Sequence, residues 1–292
     1  MVPSGLVAIF KPKNWTSSDI VSKVKGILLR GMKERAECAA GKFKIKVGHG
    51  GTLDPLAEGV LVLGIGEGTK LMSSYLEGSK GYQAVAMLGQ ETDTLDNTGA
   101  VVETVDCSSI DLSMLEAGLE QFKGDIMQVP PMYSALKRDG KKLYELARQG
   151  IEVEREARNV TVYSLQMMSE FQEDIQGTKK RPLQLPSFGL SVQSSGGFYV
   201  RSLISDLARA CGGRAHMTDL LRVKQGPFEI ADCLTEPDWA FDNICASIIS
   251  TSTKAGLTPL TMKPACQGAR LAIANDHSAS AGSDSALTGG TI

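Results

Sequence analysis

Apolar residues recur along the chain at spacings that predict short strands mixed with amphipathic helices. Residues 5–10 form an apolar run that ends at a Lys-Pro pair, as expected of a first strand. Further strand-like runs lie at 60–65, 82–88, 160–167 and 188–192. The turn-forming residues of 93–99 predict a hairpin turn.

Three segments place apolar residues at helical spacing and so predict helices. The first opens with a capping box, Thr16 to Asp19, and is followed by Ile20, Val21, Val24, Ile27 and Leu28. The second has Leu112, Leu115, Leu119 and Phe122, and the third runs from Leu203 to Cys211 before two glycines. The polar, basic stretch 30–46 predicts a loop or insertion. Because no regular βαβ rhythm is present, the pattern predicts an α+β fold with a mixed, largely antiparallel sheet flanked by helices.

Length and composition predict one folded domain with a tail. The chain has 292 residues, 42% of them hydrophobic, which is enough for a large buried core. Residues 254–292 contain no aromatic residue and are rich in Ser, Ala, Gly and Thr. We therefore expect a domain over 1–250 and a low-complexity, disordered tail over 251–292. No run of about 18 apolar residues and no secretory signal is evident, so we expect an intracellular protein without a membrane span.

Charge is distributed unevenly along the chain. The net charge of −2 argues against a nucleic-acid partner, but averages hide local patches. Eight basic residues lie between Lys23 and Lys46 against two acidic ones, and five lie between Lys137 and Arg148 against two. Basic segments on a balanced protein fit a polyanion-binding face. On charge alone, an ordinary solvated helix surface fits equally well.

Several kinds of site are not supported by the spacing of the residues. The six cysteines form no Cys-x-x-Cys pair and no ligand-spaced cluster with the three histidines, so we expect neither a zinc site nor a metal cofactor. The glycines of 64–70 have the wrong order for a phosphate-binding loop. The acidic segment 93–99 does not match a calcium loop.

The most informative stretch is residues 48–60, Gly-His-Gly-Gly-Thr-Leu-Asp-Pro-Leu-Ala-Glu-Gly-Val. Its small residues predict a tight loop before a buried strand, and Pro55 biases Asp54 away from helical geometry. Such a loop would hold the carboxylate rigidly at the end of a sheet element. A lone Asp-Pro pair, however, is more often only a turn.

Residues 48–70 resemble the active-site motif of the TruB family of pseudouridine synthases, with its His-x-Gly-x-Leu-Asp-Pro-x-Ala-x-Gly core. Four more motifs follow the family's order: Lys11-Pro12 with Thr16-Ser17, the segment 89–96, the segment 130–150 and Gly197-Phe-Tyr-Val-Arg201. The resemblance covers about residues 5–235. The Gly-His-Gly-Gly-Thr form is most similar to the eukaryotic stand-alone members.

The resemblance implies roles for individual residues. Asp54 matches the catalytic aspartate, Tyr82 the active-site tyrosine that stacks on the target base, and Arg201 the arginine that pairs with the aspartate. The implied substrate-binding residues are His49, Tyr199, Leu220, Lys11, Lys137, Lys141, Lys142 and Arg148. The last four lie in an RNA-gripping insertion at about 124–152. One departure is that 194–198 lacks the lysine that often precedes the Tyr-x-Arg motif.

The implied activity is the isomerisation of uridine-55 in the tRNA T loop to pseudouridine, extended to similar sites in mRNA. A carboxylate can attack the sugar carbon, or assist its deprotonation, without a cofactor. The target base must leave its stack and enter a pocket with an aromatic platform. The alternative from another class is an RNA-binding, tRNA-folding chaperone with the same fold. A chaperone would have no need for all three of Asp54, Tyr82 and Arg201.

The resemblance also sets expectations for partners. The expected partner is the T arm of tRNA, with no membrane and no guide RNA, since residues 236–292 are too few and too polar for the C-terminal RNA-binding domain of many relatives. A monomer is expected. A eukaryotic relative of this kind is expected in the nucleus or the mitochondrion, with the cytoplasm as an alternative.

Overall fold

The computed structural model describes residues 3–35 and 43–256. Its helices are α1 (Ser17–Glu34), α2 (Met72–Glu77), α3 (Leu112–Leu119), α4 (Leu143–Ala147), α5 (Val200–Ala210) and α6 (Phe241–Lys254). Its strands are β1 (Gly5–Lys11), β2 (Val47–His49), β3 (Glu58–Ile65), β4 (Lys80–Leu88), β5 (Gln90–Thr92), β6 (Val101–Thr104), β7 (Gly124–Gln128), β8 (Lys137–Arg138), β9 (Lys141–Lys142), β10 (Arg158–Met168), β11 (Glu170–Gln172), β12 (Lys180–Pro182), β13 (Ser187–Ser194), β14 (Ala215–Gln225) and β15 (Phe228–Glu229).

A nine-stranded mixed sheet forms the centre of the fold. Its main path runs β1-β3-β14-β4-β13-β10-β7, with β2 paired to β3 and β15 paired to β14. Among the strands of the described residues, β3 and β14 are the one parallel pair in this sheet, and the other pairs are antiparallel. The expectation of an α+β fold with a largely antiparallel sheet flanked by helices is therefore confirmed.

Helices cover two regions of the sheet and bury separate apolar clusters. Helices α3 and α5 pack against β4, β10, β13 and β14 around Leu115, Leu203 and Leu207, which are fully buried. Helices α1 and α6 pack against β1 and β3 around Ile20, Val24 and other buried side chains. Strand β1 has every residue buried because clusters lie on both of its faces, which explains its continuous apolar sequence.

The local predictions agree with these elements in most places. The capping box forms as expected: the side chain of Thr16 accepts from the Asp19 amide, and that of Asp19 accepts from the Thr16 amide. The turn-rich segment 93–99 does connect two antiparallel strands, β5 and β6. Within the described residues, no helix is long and apolar enough to cross a membrane.

Two predicted boundaries differ from the structure. Residues 30–34 belong to α1 rather than to a loop, because Leu28 and Met32 continue its buried stripe one turn further. Residues 36–42 of that predicted loop lie outside the described residues. Helix α6 passes the predicted boundary at 250 and ends at Lys254, with Thr251 and Ser252 buried. The rest of the predicted tail, 257–292, also lies outside the described residues.

Candidate active site

A cleft of about 580 Å³ opens where the Asp54 loop, β4, β14, the segment 134–136 and the start of α5 meet. Other cavities among the described residues have a similar or larger volume, but most of the predicted site residues line this cleft. It is lined by His49, Asp54, Tyr82, Tyr199, Arg201 and Leu220. The structure thus brings together six side chains from four separate parts of the sequence.

The Asp54 loop is held from two sides. Ser17, at the start of α1, accepts a 2.9 Å hydrogen bond from the Leu53 amide and donates to the Leu53 carbonyl at 3.2 Å. The loop closes on itself through the Ala57 amide, which donates to the Asp54 carbonyl at 3.0 Å. Asp54 is therefore presented on a rigid turn, with about a third of its side chain (33%) exposed to the cleft.

Arg201 pairs with Asp54 as the resemblance implied. Its Nη2 lies 2.9 Å from Asp54 Oδ2 and also donates to the Tyr133 carbonyl at 2.8 Å. Its Nη1 donates to the Thr94 carbonyl at 2.6 Å. The Arg201 side chain is only 4% exposed. Its contacts with Asp54, the carbonyls of Thr94 and Tyr133, and Asp96 fix the plane of the guanidinium and its distance from the Asp54 carboxylate. Such a planar, multiply bonded cation holds a carboxylate in one orientation.

The fourth of these groups, Asp96, is a site residue for which the sequence suggested no role. Its Oδ2 lies 3.8 Å from Arg201 Nη1, and its Oδ1 accepts from Thr94 Oγ1 and from the Thr98 amide and hydroxyl. Asp96 is 5% exposed and belongs to the predicted hairpin turn. The turn therefore also supplies a buried second carboxylate to Arg201. Only the tertiary contact with α5 distinguishes this aspartate from an ordinary turn residue.

Two tyrosines and a leucine form the apolar walls of the cleft. Tyr82 is 7% exposed, and burial raises the pKa of its phenol. Tyr199 precedes α5, and its backbone exchanges two hydrogen bonds with the Gln128 side chain, at 2.7 and 3.0 Å. Leu220 is 8% exposed on β14. Aromatic and aliphatic walls of this size can accept a flipped base, with stacking as the main contact.

The structure corrects the expectation that Lys11 binds substrate. Lys11 is completely buried, and its ammonium donates to the carbonyls of Pro12, Trp15 and Pro55 at 2.9, 2.6 and 3.3 Å. It lies outside the lining of the cleft. Burial lowers its pKa to about 8. Lys11 thus supports the loop immediately after Asp54 from behind, because three carbonyl acceptors orient its charge inward.

The remaining predicted substrate-binding residues lie on a hairpin and on the short helix after it, next to the segment 134–136 of the cleft. Strands β8 and β9 pair Lys137 with Lys142, and α4 follows directly. The cations of Lys142 and Arg148 lie 5.2 and 5.4 Å from the centroid of the Tyr144 ring. Lys137, Lys141 and Arg148 are exposed, and none of the four lines the cleft itself. Their position suits contact with a large ligand that extends beyond the cleft.

The charge of the hairpin acts on His49, which lines the cleft. The pKa of His49 is lowered, first by burial and then by the positive charges of Arg222 and Lys142. The imidazole is therefore neutral near pH 7, and its Nδ1 accepts from the Gly51 amide at 3.3 Å.

Replacing Lys142 with methionine is expected to raise the pKa of His49, because one of the two cations that oppose its protonation is removed. The rise should be smaller than the lowering caused by burial. Proton NMR titration of the imidazole resonances measures it, with a His49→Gln spectrum for assignment. Lys141→Met is the matched control, since Lys141 does not influence His49. An unchanged His49 midpoint in Lys142→Met would place the hairpin further from the cleft than described here.

Four further charged residues line the cleft without having been predicted as site residues: Glu77, Lys80, Arg158 and Arg222. Lys80 lies two residues before Tyr82 on β4. It is 6% exposed, donates to the Leu76 and Gly78 carbonyls, and burial lowers its pKa to about 8. Arg222 is almost completely buried. No local pattern marks either arginine, because each lies in an ordinary strand sequence.

Within the described ranges, no group of three or more His, Cys, Asp or Glu side chains is arranged to hold a metal ion. The chemistry available in the cleft is that of two carboxylates, Asp54 and Glu77, several cations and two phenols. A carboxylate held at 2.9 Å by a buried arginine can act as a nucleophile or as a base.

Comparison with known proteins connects this geometry to a family. The model of the TruB family pseudouridylate synthase (N terminal domain) matches residues 39–200. The human pseudouridylate synthase TRUB1 is 44% identical over 249 residues, which cover 84% of this chain and 68% of the human protein. The tRNA pseudouridine synthase B of Desulfotalea psychrophila is 42% identical over 236 residues, which cover 80% of this chain and 87% of the bacterial protein.

Solved structures agree on the fold. A chain of the Cbf5-Nop10-Gar1 complex superposes with a TM-score of 0.56 at 25% identity, covering 81% of this chain and 53% of that chain. A chain of the archaeal box H/ACA sRNP Nop10-Cbf5 complex superposes with a TM-score of 0.54 at 21% identity, covering 87% and 62%. The chain thus spans little more than half the length of these solved relatives. Together with the family match and the identity to its relatives, the fold shows that the chain belongs to the TruB family of pseudouridylate synthases, which are isomerases.

Proposed function

We propose that this chain isomerises uridine-55 in the T loop of tRNA to pseudouridine, and acts on T-loop-like sites in mRNA. The observation that supports this most directly is the contact of 2.9 Å between Asp54 and the buried Arg201 in a cleft walled by two tyrosines. The relatives named tRNA pseudouridine synthase B supply the substrate class. The position within the tRNA and the extension to mRNA come from the motif resemblance.

The reaction needs only groups that the cleft already contains. Isomerisation breaks the bond between uracil N1 and the ribose, turns the base, and joins its C5 to the same sugar carbon. The proton lost from C5 is balanced by one gained at N1, so no cofactor enters the stoichiometry. Asp54 either attacks the sugar carbon or removes a ribose proton, and Arg201 holds its carboxylate at the correct position. Tyr82 and Tyr199 keep the detached base in the cleft by stacking.

The basic hairpin is proposed to contact the phosphate backbone of the T arm. Lys137, Arg138 and Lys141 are exposed there, and the Lys142 ammonium lies 3.2 Å from the Tyr144 hydroxyl while its charge lowers the pKa of His49 at the cleft. Phosphate contacts supply affinity and register without reading the sequence. A substrate seated in the cleft by its flipped base would therefore be held at a second place by this hairpin.

The double substitution Lys141→Ala/Lys142→Ala is expected to weaken tRNA binding and to lower the slope of log affinity against log salt concentration by roughly one for each phosphate that is no longer neutralised. Single-turnover chemistry at saturating tRNA should change little, because neither ammonium lines the cleft. Affinity measured at several salt concentrations tests this. The matched control is Lys179→Ala/Lys180→Ala on the separate β11–β12 hairpin, which should leave the slope unchanged. An unchanged slope in the first variant would identify the hairpin as an ordinary solvated surface.

The proposed function is tested with the protein alone and an unmodified tRNA transcript. Chemical mapping should find pseudouridine at position 55, and a transcript with cytidine at that position should remain unmodified. A T-arm minihelix and an mRNA stem with a T-like loop extend the same assay to the smaller substrates. Modification of the transcript when no second RNA is present supports the proposal that the enzyme needs no guide RNA. Binding and refolding of tRNA without any pseudouridine would instead support the chaperone alternative.

A further inference from the structure

Arg222, on β14, carries a buried charge in the cleft that the reaction described above does not use. The residue is 1% exposed. Its Nε donates to the Val60 carbonyl at 2.7 Å, and its Nη2 donates to the Gly51 carbonyl at 3.2 Å. Within residues 3–35 and 43–256, no carboxylate oxygen lies within 4.0 Å of its guanidinium. An arginine stays protonated even when burial lowers its pKa, so the cleft contains a cation without an ion partner.

The sheet places Arg222 directly beside Tyr82. Arg222 faces Tyr82 across the β14–β4 pair and Gly59 across the β14–β3 pair. Gly59 has a φ of +108°, and a Cβ there would lie 2.2 Å from the Arg222 carbonyl oxygen, so only glycine permits this close approach. Nε and Nη2 are engaged by carbonyls, which leaves Nη1 as the guanidinium nitrogen that can donate to the hydroxyl of Tyr82, the residue facing Arg222 on β4.

The charge of Arg222 acts on the same phenol. Burial raises the pKa of Tyr82, the cation and hydrogen bond of Arg222 lower it, and the negative charge of Asp54 raises it. The other charged groups lining the cleft are Glu77, Lys80, Arg158 and Arg201. Arg222 thus lowers the pKa of the Tyr82 phenol, against the effect of burial.

We propose that Arg222 is a positioning residue for Tyr82 in the isomerisation. By donating to the phenolic oxygen, it leaves the hydroxyl hydrogen free to point into the cleft, toward the uracil. It also stabilises the negative charge that develops on this oxygen whenever the hydrogen is shared with the base. This inference rests on the proposed function, since it assigns Arg222 a part in the same reaction.

The test is a double-mutant cycle of Arg222→Gln and Tyr82→Phe, with single-turnover rates on the tRNA transcript at saturating protein. Arg222→Gln alone should slow isomerisation at least about tenfold, as expected for loss of a charged hydrogen bond. In the Tyr82→Phe background, the same change should slow it less than about threefold, because the oxygen through which Arg222 acts is already gone. Affinity for tRNA should stay near that of the unaltered protein in each variant.

Gln225→Met is the matched control on the same strand. Gln225 is also fully buried and holds the neighbouring loop, through the Gly50 carbonyl at 2.7 Å and the Val62 amide at 3.0 Å, without contacting Tyr82. Gln225→Met should change the single-turnover rate by the same factor whether residue 82 is tyrosine or phenylalanine. An equal loss from Arg222→Gln in both backgrounds overturns the proposal and makes Arg222 a structural support of the loop.

Two further measurements keep the outcome decisive. If Arg222→Gln does not fold, Arg222→Lys enters the same cycle, since it retains the charge but cannot serve two carbonyls and the phenol together. If Tyr82→Phe is too slow to measure, ultraviolet titration of Tyr82, taken as the difference from Tyr82→Phe, replaces it. The phenol should then titrate at higher pH in the Arg222 variant, and an unchanged titration overturns the proposal. An unaltered protein that makes no pseudouridine would refute the proposed function itself.

Discussion

Replacing Asp54 with asparagine is expected to abolish isomerisation while tRNA binding survives. The amide is nearly the same size but is a poor nucleophile and a poor base. Among the described residues, Glu77 is the other carboxylate that lines the cleft, and it makes no ion pair with Arg201. The single-turnover rate should fall on the order of 10⁴-fold or more. Affinity should change by less than about threefold, because the basic hairpin proposed to contact the tRNA phosphates lies outside the cleft.

The fold should tolerate this change. Asp54 is partly exposed, and Arg201 keeps the Thr94 and Tyr133 carbonyls as acceptors when the charge is removed. A stability loss of about 1 kcal/mol is expected from the weakened pair. Asp93→Asn is a suitable control: Asp93 accepts from the Ala100 amide in the hairpin turn but does not line the cleft. Retention of more than a trace of activity by Asp54→Asn would refute the assignment of Asp54 as the reacting carboxylate.

Replacing Arg201 with lysine is expected to cause the second-largest loss, although the charge is kept. The guanidinium bonds Asp54, Thr94 and Tyr133 from two nitrogens at once and lies near Asp96. One ammonium on a shorter stem cannot reach all of them, so the Asp54 carboxylate loses its fixed orientation. Loss of one or two charged hydrogen bonds corresponds to a rate lowered by roughly 10²–10⁴-fold.

Rates measured well below the unfolding temperature separate this effect from instability. Arg214→Lys serves as the control, since Arg214 pairs with Glu103 at 2.6 Å outside the cleft and should keep full activity as lysine. If the activity of Arg201→Lys simply followed its folded fraction through a thermal scan, Arg201 would be structural, and the pairing with Asp54 would not matter to the reaction.

Local sequence was sufficient to predict the elements that depend on near neighbours. The capping box and the apolar stripe after it specified α1, and the apolar runs specified β1, β3 and β4, because hydrogen bonds and burial within one element follow a short period. The Asp-Pro turn and its glycines likewise predicted a tight loop around Asp54. The motif resemblance then pointed to Tyr82 and Arg201, which local patterns alone would have left as core residues.

Only the tertiary structure decided which side chains face that loop. Lys11 was expected at the substrate, but the pairing of β1 with β3 buries it behind Pro55, where three carbonyls hold it. In the sequence, Asp96 and Arg222 are an ordinary turn residue and an ordinary strand residue. They reach the site because α5 packs over the hairpin turn and because β14 lies between β3 and β4. Sequence periodicity is local, whereas strand order and register join residues far apart in the chain, so the partners of Asp54 were determined by the sheet rather than by any one segment.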